Sequence, residues 1–391
     1  MKRVLVIGGG VAGCAAAVAA AEAGARVTLV EAADHLGGVA AQGEHRTLCG
    51  LAPIEAPQPD LLEPGLTAAW VAVLANGAPR RHGRVWLWPT DAQVLQAGLA
   101  QRLRAAGVEV RRGCRVVGLS APDRGIASAA APDRHALLAP GGRLAFDDVI
   151  DASGGAAFAA PHGEAVAHAP DPNWPAFRAV VRGAIPPGTV ARARAESIAA
   201  AAAGVPAAAL VAIDQERWQL SLDLPPGMTL PAADAAMERA ASALKVDLIA
   251  CARALAARDV GRHPGQVSLR DLFSQDARHW CWAAWPAEHH GADGVLWNWP
   301  QRDRHGVPIT AVRGPHMPAW MWAVGKGMPV SASAASALRV TGTALAIGTA
   351  VGAVVAAPDW RGALIAHFNA SHCERPRLLA LRDDRPRDDD P

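Results

Sequence analysis

Residues 4–17 read VLVIGGGVAGCAAA, and this stretch decides the fold. A short apolar strand leads directly into a glycine-rich turn that opens a helix. Gly24 is predicted to end that helix before a second strand over residues 26–31. The order strand, helix, strand is a βαβ unit, whose sheet must be parallel and covered on both faces. The start of the chain therefore predicts an α/β domain with a Rossmann-like parallel sheet.

The turn carries Gly8, Gly10 and Gly13 in the spacing GxGxxG. Gly8 permits the tight turn, Gly10 lets the backbone approach a pyrophosphate, and Gly13 lets the helix pack closely on the strand. Glu31 follows Gly13 by 18 residues, where its carboxylate can accept hydrogen bonds from a ribose diol. The same carboxylate would repel a 2′-phosphate, so the site is predicted to exclude NADP. A glycine-rich turn without a ligand is the alternative interpretation.

Gly37 and Gly38 begin six residues after Glu31 and offer a second point at which the backbone can approach the pyrophosphate. A nicotinamide nucleotide usually needs nothing beyond the βαβ unit. The second glycine pair therefore favours FAD as the cofactor, and the alternative interpretation is an ordinary turn.

The composition limits the classes of protein that this chain can be. Its 391 residues suggest two or three domains, at roughly 150 residues each. With 51% hydrophobic and 19% charged residues, the chain is typical of a globular protein. A net charge of +2 without a dense basic run gives no electrostatic basis for binding nucleic acid. The six cysteines form no CxxC motif, so no metal site or redox pair is predicted, and the cytoplasm is the expected compartment.

Two segments resemble membrane signals in part. Lys2 and Arg3 precede an apolar run, as in a signal peptide, but glycines interrupt the run where a signal core should be helical. Residues 340–357 are 18 consecutive uncharged residues, the minimum length for a membrane span. These residues are mostly small, and no aromatic belt precedes them. A helix buried inside the protein is therefore predicted, and no membrane span.

The pattern of strands and helices predicts an FAD-binding domain over residues 1–160 and 310–373. Strands are predicted at residues 85–88, 108–112, 115–119, 148–152 and 322–325, and helices at 91–106 and from about 331. Residues 37–89 have little periodicity and much proline and glycine, so they are predicted to be mainly loops that line a site.

Residues 161–309 are predicted to form an inserted α+β substrate or cap domain with an antiparallel sheet. Its strands are predicted near residues 177–181, 209–213 and 218–222, and its helices near 190–203 and 232–258. Residues 374–391 are charged and contain proline, and they are predicted to be a disordered tail.

Five stretches of the chain resemble the FAD-dependent oxidoreductase (FAD_oxidored) family of the glutathione-reductase-like superfamily. They are VLVIGGGVAGCAAA (4–17), VTLVEAADHLGGVAAQG (27–43), RLRAAGVEVRRGCRVVGL (102–119), VIDASGG (149–155) and WAVGKGMPVSASAASALRVTGTALAIGTAVGAV (322–354). The first two are common to the superfamily, and the last is the most specific. The resemblance implies bound FAD and an oxidoreductase activity.

The resemblance also implies where the chain would contact the cofactor. Val116 or Val117 would contact the adenine, and Ser153 and Gly154 would close over the cofactor from behind. Independently of the resemblance, the loop after Gly38, which contains Gln42, is tethered close to the pyrophosphate.

At the flavin end, the resemblance places Gly325 and Lys326 beside the ring. The helix that follows would aim its N-terminus at the isoalloxazine pyrimidine, where it can stabilise negative charge at N1 and O2. Arg339 within this helix would pair with a carboxylate or with the cofactor, and a purely structural salt bridge is an equal alternative.

The chain departs from the family pattern in several respects. Lys326 stands where arginine is usual, and no arginine-rich stretch is found near residues 263–276. No second GxGxxG follows a strand, so a separate NAD(P)H-binding domain is not expected, and the chemistry of disulfide reductases is excluded by the lack of CxxC. The substrate and the electron donor or acceptor therefore stay open.

Two segments carry most of the candidate catalytic side chains. The loop after Gly38 contains His45 and Cys49 and should run toward the flavin ring, although a polar surface loop with a buried cysteine has the same pattern. Residues 279–300 contain Trp285, His289 and His290, which could form a stacking wall with a base. A tryptophan core with surface histidines is the alternative interpretation.

A third candidate is His316, which stands with Trp320 in a loop that could cap the pocket. Together these segments predict an enzyme in which flavin N5 takes a hydride from an organic substrate, a small molecule or a peptide, with a weak preference for an aromatic or hydrophobic one. A flavin monooxygenase acting on a small molecule or on a peptide or protein side chain is the alternative reaction. A non-catalytic binding or escort protein on the same fold is the alternative of another class.

Overall fold

The computed structural model describes residues 1–120, 134–155, 157–158, 173–186, 188–258, 267–274, 279–315, 317–357, 359 and 362. Its α-helices, in chain order, are α1 (Val11–Glu22), α2 (Gly38–Gln42), α3 (Pro64–Leu74), α4 (Ala92–Ala105), α5 (Thr189–Ala203), α6 (Leu230–Leu244), α7 (Leu269–Phe273), α8 (Ala332–Leu338) and α9 (Thr341–Ala356). Its strands are β1 (Arg3–Ile7), β2 (Arg26–Val30), β3 (Thr47–Leu48), β4 (Arg80–His82), β5 (Val85–Pro89), β6 (Glu109–Arg111), β7 (Arg115–Ser120), β8 (Arg134–Ala139), β9 (Arg143–Phe146), β10 (Asp148–Asp151), β11 (Ala176–Arg182), β12 (Ala208–Ala212), β13 (Arg217–Asp223), β14 (Asp247–Cys251), β15 (His279–Ala283), β16 (Ala287–Gly291), β17 (Gly294–Asn298), β18 (His305–Pro308) and β19 (Met321–Ala323). The predicted tail lies outside the described residues.

A five-stranded parallel sheet in the order β19-β10-β1-β2-β6 holds the first domain together. Apart from the edge strand β6, its strands read as short, mainly apolar runs because both faces of the sheet are covered. Leu5 and Ile7 pack against the small antiparallel sheet β7-β8-β9 on one face, and Val4 and Val6 pack into the core with α1 and α9 on the other. The predicted α/β fold with a Rossmann-like parallel sheet is confirmed.

Helices α1 and α9 pack side by side, and small residues form their contact. A Cβ added to Gly348 would lie 2.3 Å from the carbonyl oxygen of Ala12, and one added to Gly352 would lie 2.1 Å from that of Ala16. α9 is buried along almost its whole length. Among the described helices, none alone has the length and apolarity to cross a membrane. α8 and α9 pass that test only as a pair, bent by 91°.

Two predicted helices differ from the structure. The helix predicted from about residue 331 is two helices, because the backbone of Val340 is extended between α8 and α9. The helix predicted over residues 232–258 ends at Leu244, because Lys245 adopts a left-handed conformation with a φ of 56°. The alanine-rich composition extends the helical pattern beyond the true end, and the chain turns there into β14.

Residues 37–89 also contain more regular structure than predicted. Besides the expected strand β5, they form the helices α2 and α3 and two short strands. Pro64 starts α3 at a position that needs no backbone donor, and Trp70 and Leu74 of this helix are buried in the main core. Burial of one face of α3 therefore makes this part of the segment helical. The high proline and glycine content of residues 37–89 concealed the helical pattern in the sequence.

The second sheet is antiparallel, in the order β12-β13-β11-β14. Its apolar residues pack on α5 and α6 in a separate core, so the predicted α+β layer with an antiparallel sheet is confirmed. β15 and β18 also fall inside the predicted range 161–309, but Trp280 and Val307 of these strands pack into the same core as α9. The domain boundaries themselves stay a prediction.

Candidate active site

A cavity of about 400 Å³ opens at the carboxyl ends of β1, β2 and β10. Ligands of open α/β sheets bind at this edge, because strand ends and helix N-termini converge there. Most residues predicted to bind the cofactor line the cavity: Gly8, Gly10, Gly13, Glu31, Gly37, Gly38, Val116, Ser153, Gly154, Gly325, Lys326 and Arg339.

Gln42 and Val117 do not line this cavity. Val117 is 56% exposed, because successive residues of β7 alternate between faces and Val116 takes the inward one. Gln42 lies at the end of α2, where its Nε2 is 2.9 Å from Nε2 of His35 in a separate surface pocket. The cofactor roles of these two residues stay predictions.

The glycine turn fits a pyrophosphate. Gly8 has a φ of +106°, and a Cβ there would lie 2.3 Å from the carbonyl oxygen of Ala152. A Cβ on Gly13 would lie 2.0 Å from the carbonyl oxygen of Gly8, whereas one on Gly10 would meet nothing within 4 Å. Gly10 therefore faces open space at the start of α1, where no side chain caps the helix and no acidic residue stands in the first turn. Free backbone N–H groups and the helix dipole at this point suit an anion.

Glu31 and the second glycine pair complete this end of the cavity. The carboxylate of Glu31 accepts hydrogen bonds from the backbone N–H groups of Gly9 and Ala33. Gly37 and Gly38 both have positive φ, and the N–H of Gly37 donates to the carbonyl oxygen of Gly9 at 2.8 Å. The second glycine pair is thus held directly against the first glycine turn. Both glycine segments present backbone atoms to this end of the cavity.

Residues 3–170 match the family model of the FAD dependent oxidoreductases. The match spans 168 of the 391 residues. The match covers four of the five strands of the parallel sheet, the glycine turn and most of the cavity wall. It confirms the predictions of an FAD-dependent oxidoreductase and of FAD as its cofactor. No curated protein matches the chain in sequence.

Solved structures of similar fold cover nearly all of the oxidoreductase. The structure of P. aeruginosa PqsL in complex with 2-aminobenzoylacetate is 14% identical, with a TM-score of 0.51, over 95% of this chain and 91% of that chain. The tetrameric form of 2-methyl-3-hydroxypyridine-5-carboxylic acid oxygenase is also 14% identical, with a TM-score of 0.48, over 94% and 86% of the two chains. The likeness to PqsL shows that the two proteins share a fold.

Of the predicted catalytic residues, His45 and Cys49 line the cavity of the oxidoreductase. His290 is buried outside it, and His289 lies on the opposite face of β16. His316 lies outside the described residues. Of the neighbouring tryptophans, Trp285 is buried with its Nε1 donating to Glu288, and Trp320 packs on Phe146 at 5.6 Å between ring centroids.

Cys49 holds the start of α9. The backbone N–H of Thr341 donates to its sulfur, and that of Gly342 donates to its carbonyl oxygen at 2.8 Å. Burial, followed by the charge of Glu288, raises the pKa of the Cys49 thiol to about 12. The thiol is therefore protonated at neutral pH and is not a thiolate nucleophile. Its position indicates that it fixes α9 against the cavity wall, and two of the first amides of α9 are engaged by Cys49.

A chain of buried charges joins the second sheet to α8. Asp223 binds Arg258 through Oδ1 at 2.7 Å and His290 through Oδ2 at 2.7 Å. The other ring nitrogen of His290 is 2.9 Å from Glu288, which binds Arg339 at 3.1 Å. Burial opposes ionisation of Glu288, but the hydrogen bond from His290 and the charge of Arg339 outweigh it and lower its pKa to about 2. Arg339 therefore pairs with a carboxylate, one of the predicted possibilities.

Sequence reasoning did not find Asp223, Arg258 or Glu288. These residues stand on three separate segments, and no spacing or motif connects them. The only sequence signal for this charge cluster was the position of Asp223 at the end of a predicted apolar strand. A carboxylate at such a position commonly faces solvent, so the signal did not indicate burial. Here it is 5% exposed.

His45 is the candidate base in the cavity. Burial, followed by the positive charges of Arg178, Arg339 and Arg258, lowers the pKa of its imidazole well below 6.5. The imidazole is therefore neutral at physiological pH and able to accept a proton.

Stability should fall as the pH drops below about 6.5, the pKa of histidine in the unfolded chain. The folded pKa of His45 lies below that value, so the unfolded chain takes up the proton first. His82 and His305 add to this effect, since burial lowers their pKa values to about 4. Each of these three histidines changes the free energy of unfolding by up to about 1.4 kcal/mol per pH unit.

The variant H45N tests this effect by denaturant unfolding. Between pH 6.5 and 5, its free energy of unfolding should fall less steeply than that of the native protein, by about the contribution of one histidine. An unchanged slope would show that His45 titrates normally.

Proposed function

We propose that this flavoprotein oxidises an organic substrate by removing a hydride from one atom and a proton from its neighbour, with His45 as the proton acceptor. FAD, when bound, supplies the two-electron oxidant and takes the hydride at N5. The observation that supports the proposal is a neutral, half-buried imidazole on the wall of the FAD cavity. A base at this position lets a C–H bond next to an O–H, N–H or C–H group be oxidised or desaturated without releasing the proton to water.

The loop that carries His45 is held from several sides. The backbone N–H of His45 donates to the carbonyl oxygen of Ala40 at 3.1 Å, and that of Arg46 donates to Oε1 of Gln219 on the second sheet at 2.8 Å. Arg46 also pairs with Glu44 at 2.8 Å. Because these contacts come from α2 and from the second sheet, the backbone that carries the imidazole is fixed before a substrate arrives, which general base catalysis needs.

The test is anaerobic reduction of the purified yellow protein with pools of small molecules and peptides. A substrate that bleaches the flavin without an added reductant supports the proposed oxidation. With that substrate, H45N should retain FAD and lower the rate of bleaching by roughly a hundredfold to ten-thousandfold. H82N is the matched control, because His82 lies on β4, away from the cavity.

Three outcomes would contradict the proposal. Bleaching only by an external reductant, followed by substrate-dependent consumption of oxygen, would make the protein a monooxygenase. A protein that purifies without flavin and binds none would favour the escort function. Equal bleaching rates in H45N and the native protein would remove His45 from the reaction.

A further inference from the structure

The second sheet turns a polar face toward the FAD domain. Phe177 and Ala179 of β11 pack into the core with α5 and α6, so Arg178 between them points to the opposite face. On β13 the same alternation places Gln219 and Asp223 on that face. Gln219 binds the loop that carries His45, so this polar face covers that loop.

Arg178 is buried on this face of the second sheet. The residue is 8% exposed, and its Nη1 has no hydrogen-bond partner among the described residues. The charge of Asp223 acts on Arg178, but the two carboxylate oxygens of Asp223 already bind Arg258 and His290. A buried guanidinium without a counterion is costly, so an anion is expected to complete this site.

The charges around Arg178 do not balance. The buried group contains three arginines, Arg178, Arg258 and Arg339, and two carboxylates, Asp223 and Glu288. Burial, followed by the charges of the other two arginines, lowers the pKa of Arg178 to about 9. It is therefore still protonated at neutral pH, and the described part of this group carries an excess of positive charge.

This excess positive charge lies beside the proposed reaction site. Nη1 of Arg178 would be 3.5 Å from a Cβ built on Gly43, two residues before His45. The charges of Arg178 and Arg339 both act on His45, and His45 and Arg339 line the cavity. The glycine cradle, with Gly10, forms another part of the same cavity wall. The unpaired charge is therefore at the end of the site where the base stands.

We propose that the substrate is an organic carboxylate and that Arg178 receives its carboxylate group on the polar face of the second sheet. The inference rests on the proposed oxidation and adds the substrate class to it. A guanidinium presents parallel N–H donors that match the two oxygens of a carboxylate. Bound in this way, the carboxylate anchors the substrate next to His45, and the anchoring energy orients the carbon to be oxidised.

The test uses the FAD-bound protein and three carboxylates of increasing size, acetate, hexanoate and benzoate, each compared with its neutral amide. Binding is measured by the change in flavin absorbance and by calorimetry. At least one carboxylate should bind more tightly than its amide. R178M should weaken that binding by about tenfold to a hundredfold, and R178K should weaken it less. R182M is the matched control, because Arg182 is on the same strand but exposed.

Thermal unfolding without a ligand supplies an independent readout. R178M removes a buried charge while keeping a long side chain, so its melting temperature should equal or exceed that of the native protein. A purely structural arginine would give a lower melting temperature on removal. A large fall in melting temperature with unchanged carboxylate binding would therefore overturn the proposal.

Other results also overturn it. Equal affinity for carboxylates and amides, or no binding of any of the three carboxylates, would show that the site does not select anions. A change in the flavin reduction potential in R178M with unchanged carboxylate binding would assign Arg178 to the flavin's own negative charge. Carboxylate binding that depends on Arg178, in a protein that no substrate reduces, would sustain the ligand class while the proposed oxidation fails.

Discussion

G352A lowers the free energy of unfolding by roughly 1–3 kcal/mol and loosens FAD, because the added methyl group has no space. Its Cβ would lie 2.1 Å from the carbonyl oxygen of Ala16, a backbone atom of α1 that cannot rotate away. α9 and α1 must then separate, and the N-terminal ends of both helices line the FAD cavity. Urea unfolding of the FAD-free protein and the ratio of flavin to protein after purification measure the two effects.

G65A is the control for this substitution. Gly65 lies exposed in α3, and a Cβ there meets nothing within 4 Å. Alanine favours a helix over glycine by about 1 kcal/mol, so G65A should leave stability unchanged or raise it. If G352A also raised stability, helix propensity would outweigh packing, and the close contact of α1 with α9 would not be what positions the start of α9.

G10A should weaken FAD binding while leaving the fold intact, and G13A should damage both. A Cβ on Gly10 meets no protein atom within 4 Å, and its φ of −67° suits any residue. The methyl group would occupy the space through which the pyrophosphate approaches the N-terminus of α1. A steric cost of about 1–3 kcal/mol corresponds to a loss of affinity of roughly five- to 150-fold.

G13A differs because its Cβ would lie 2.0 Å from the carbonyl oxygen of Gly8. The helix would be forced from the strand, so the FAD-free protein should melt at a lower temperature. FAD titration and thermal unfolding of the FAD-free forms separate the two variants. Normal flavin content in G10A would mean that the cofactor does not approach this turn, and the assignment of the cavity to FAD would be wrong.

The cofactor end of the site could be predicted because its determinants are local. Gly8, Gly10, Gly13 and Glu31 stand within one βαβ unit, where the turn and the strand lengths fix their positions relative to one another. The apolar character of residues 340–357 likewise predicted a buried helix, since small residues allow close packing on all sides.

Other features could not be predicted, because the sequence has no local signal for them. The end of α6 at Leu244 depends on a single left-handed residue, Lys245, inside an alanine-rich pattern that continues beyond it. The break between α8 and α9 at Val340 lies where the start of α9 packs on Leu51 and Cys49, and a Cβ on Gly342 would lie 2.6 Å from the carbonyl oxygen of Cys49. Such contacts have no local sequence signal.

The sequence by itself determined the dinucleotide fold and the backbone cradle, because both depend on residues a few positions apart. Only the tertiary structure decided the chemistry at the other end of the cavity. Arg178, Asp223 and Glu288 come from three strands far apart in the chain, and only folding buries them together. Since burial excludes water and Coulomb interactions then strengthen, the lowered pKa of His45 and the unpaired Nη1 of Arg178 exist only in the folded protein.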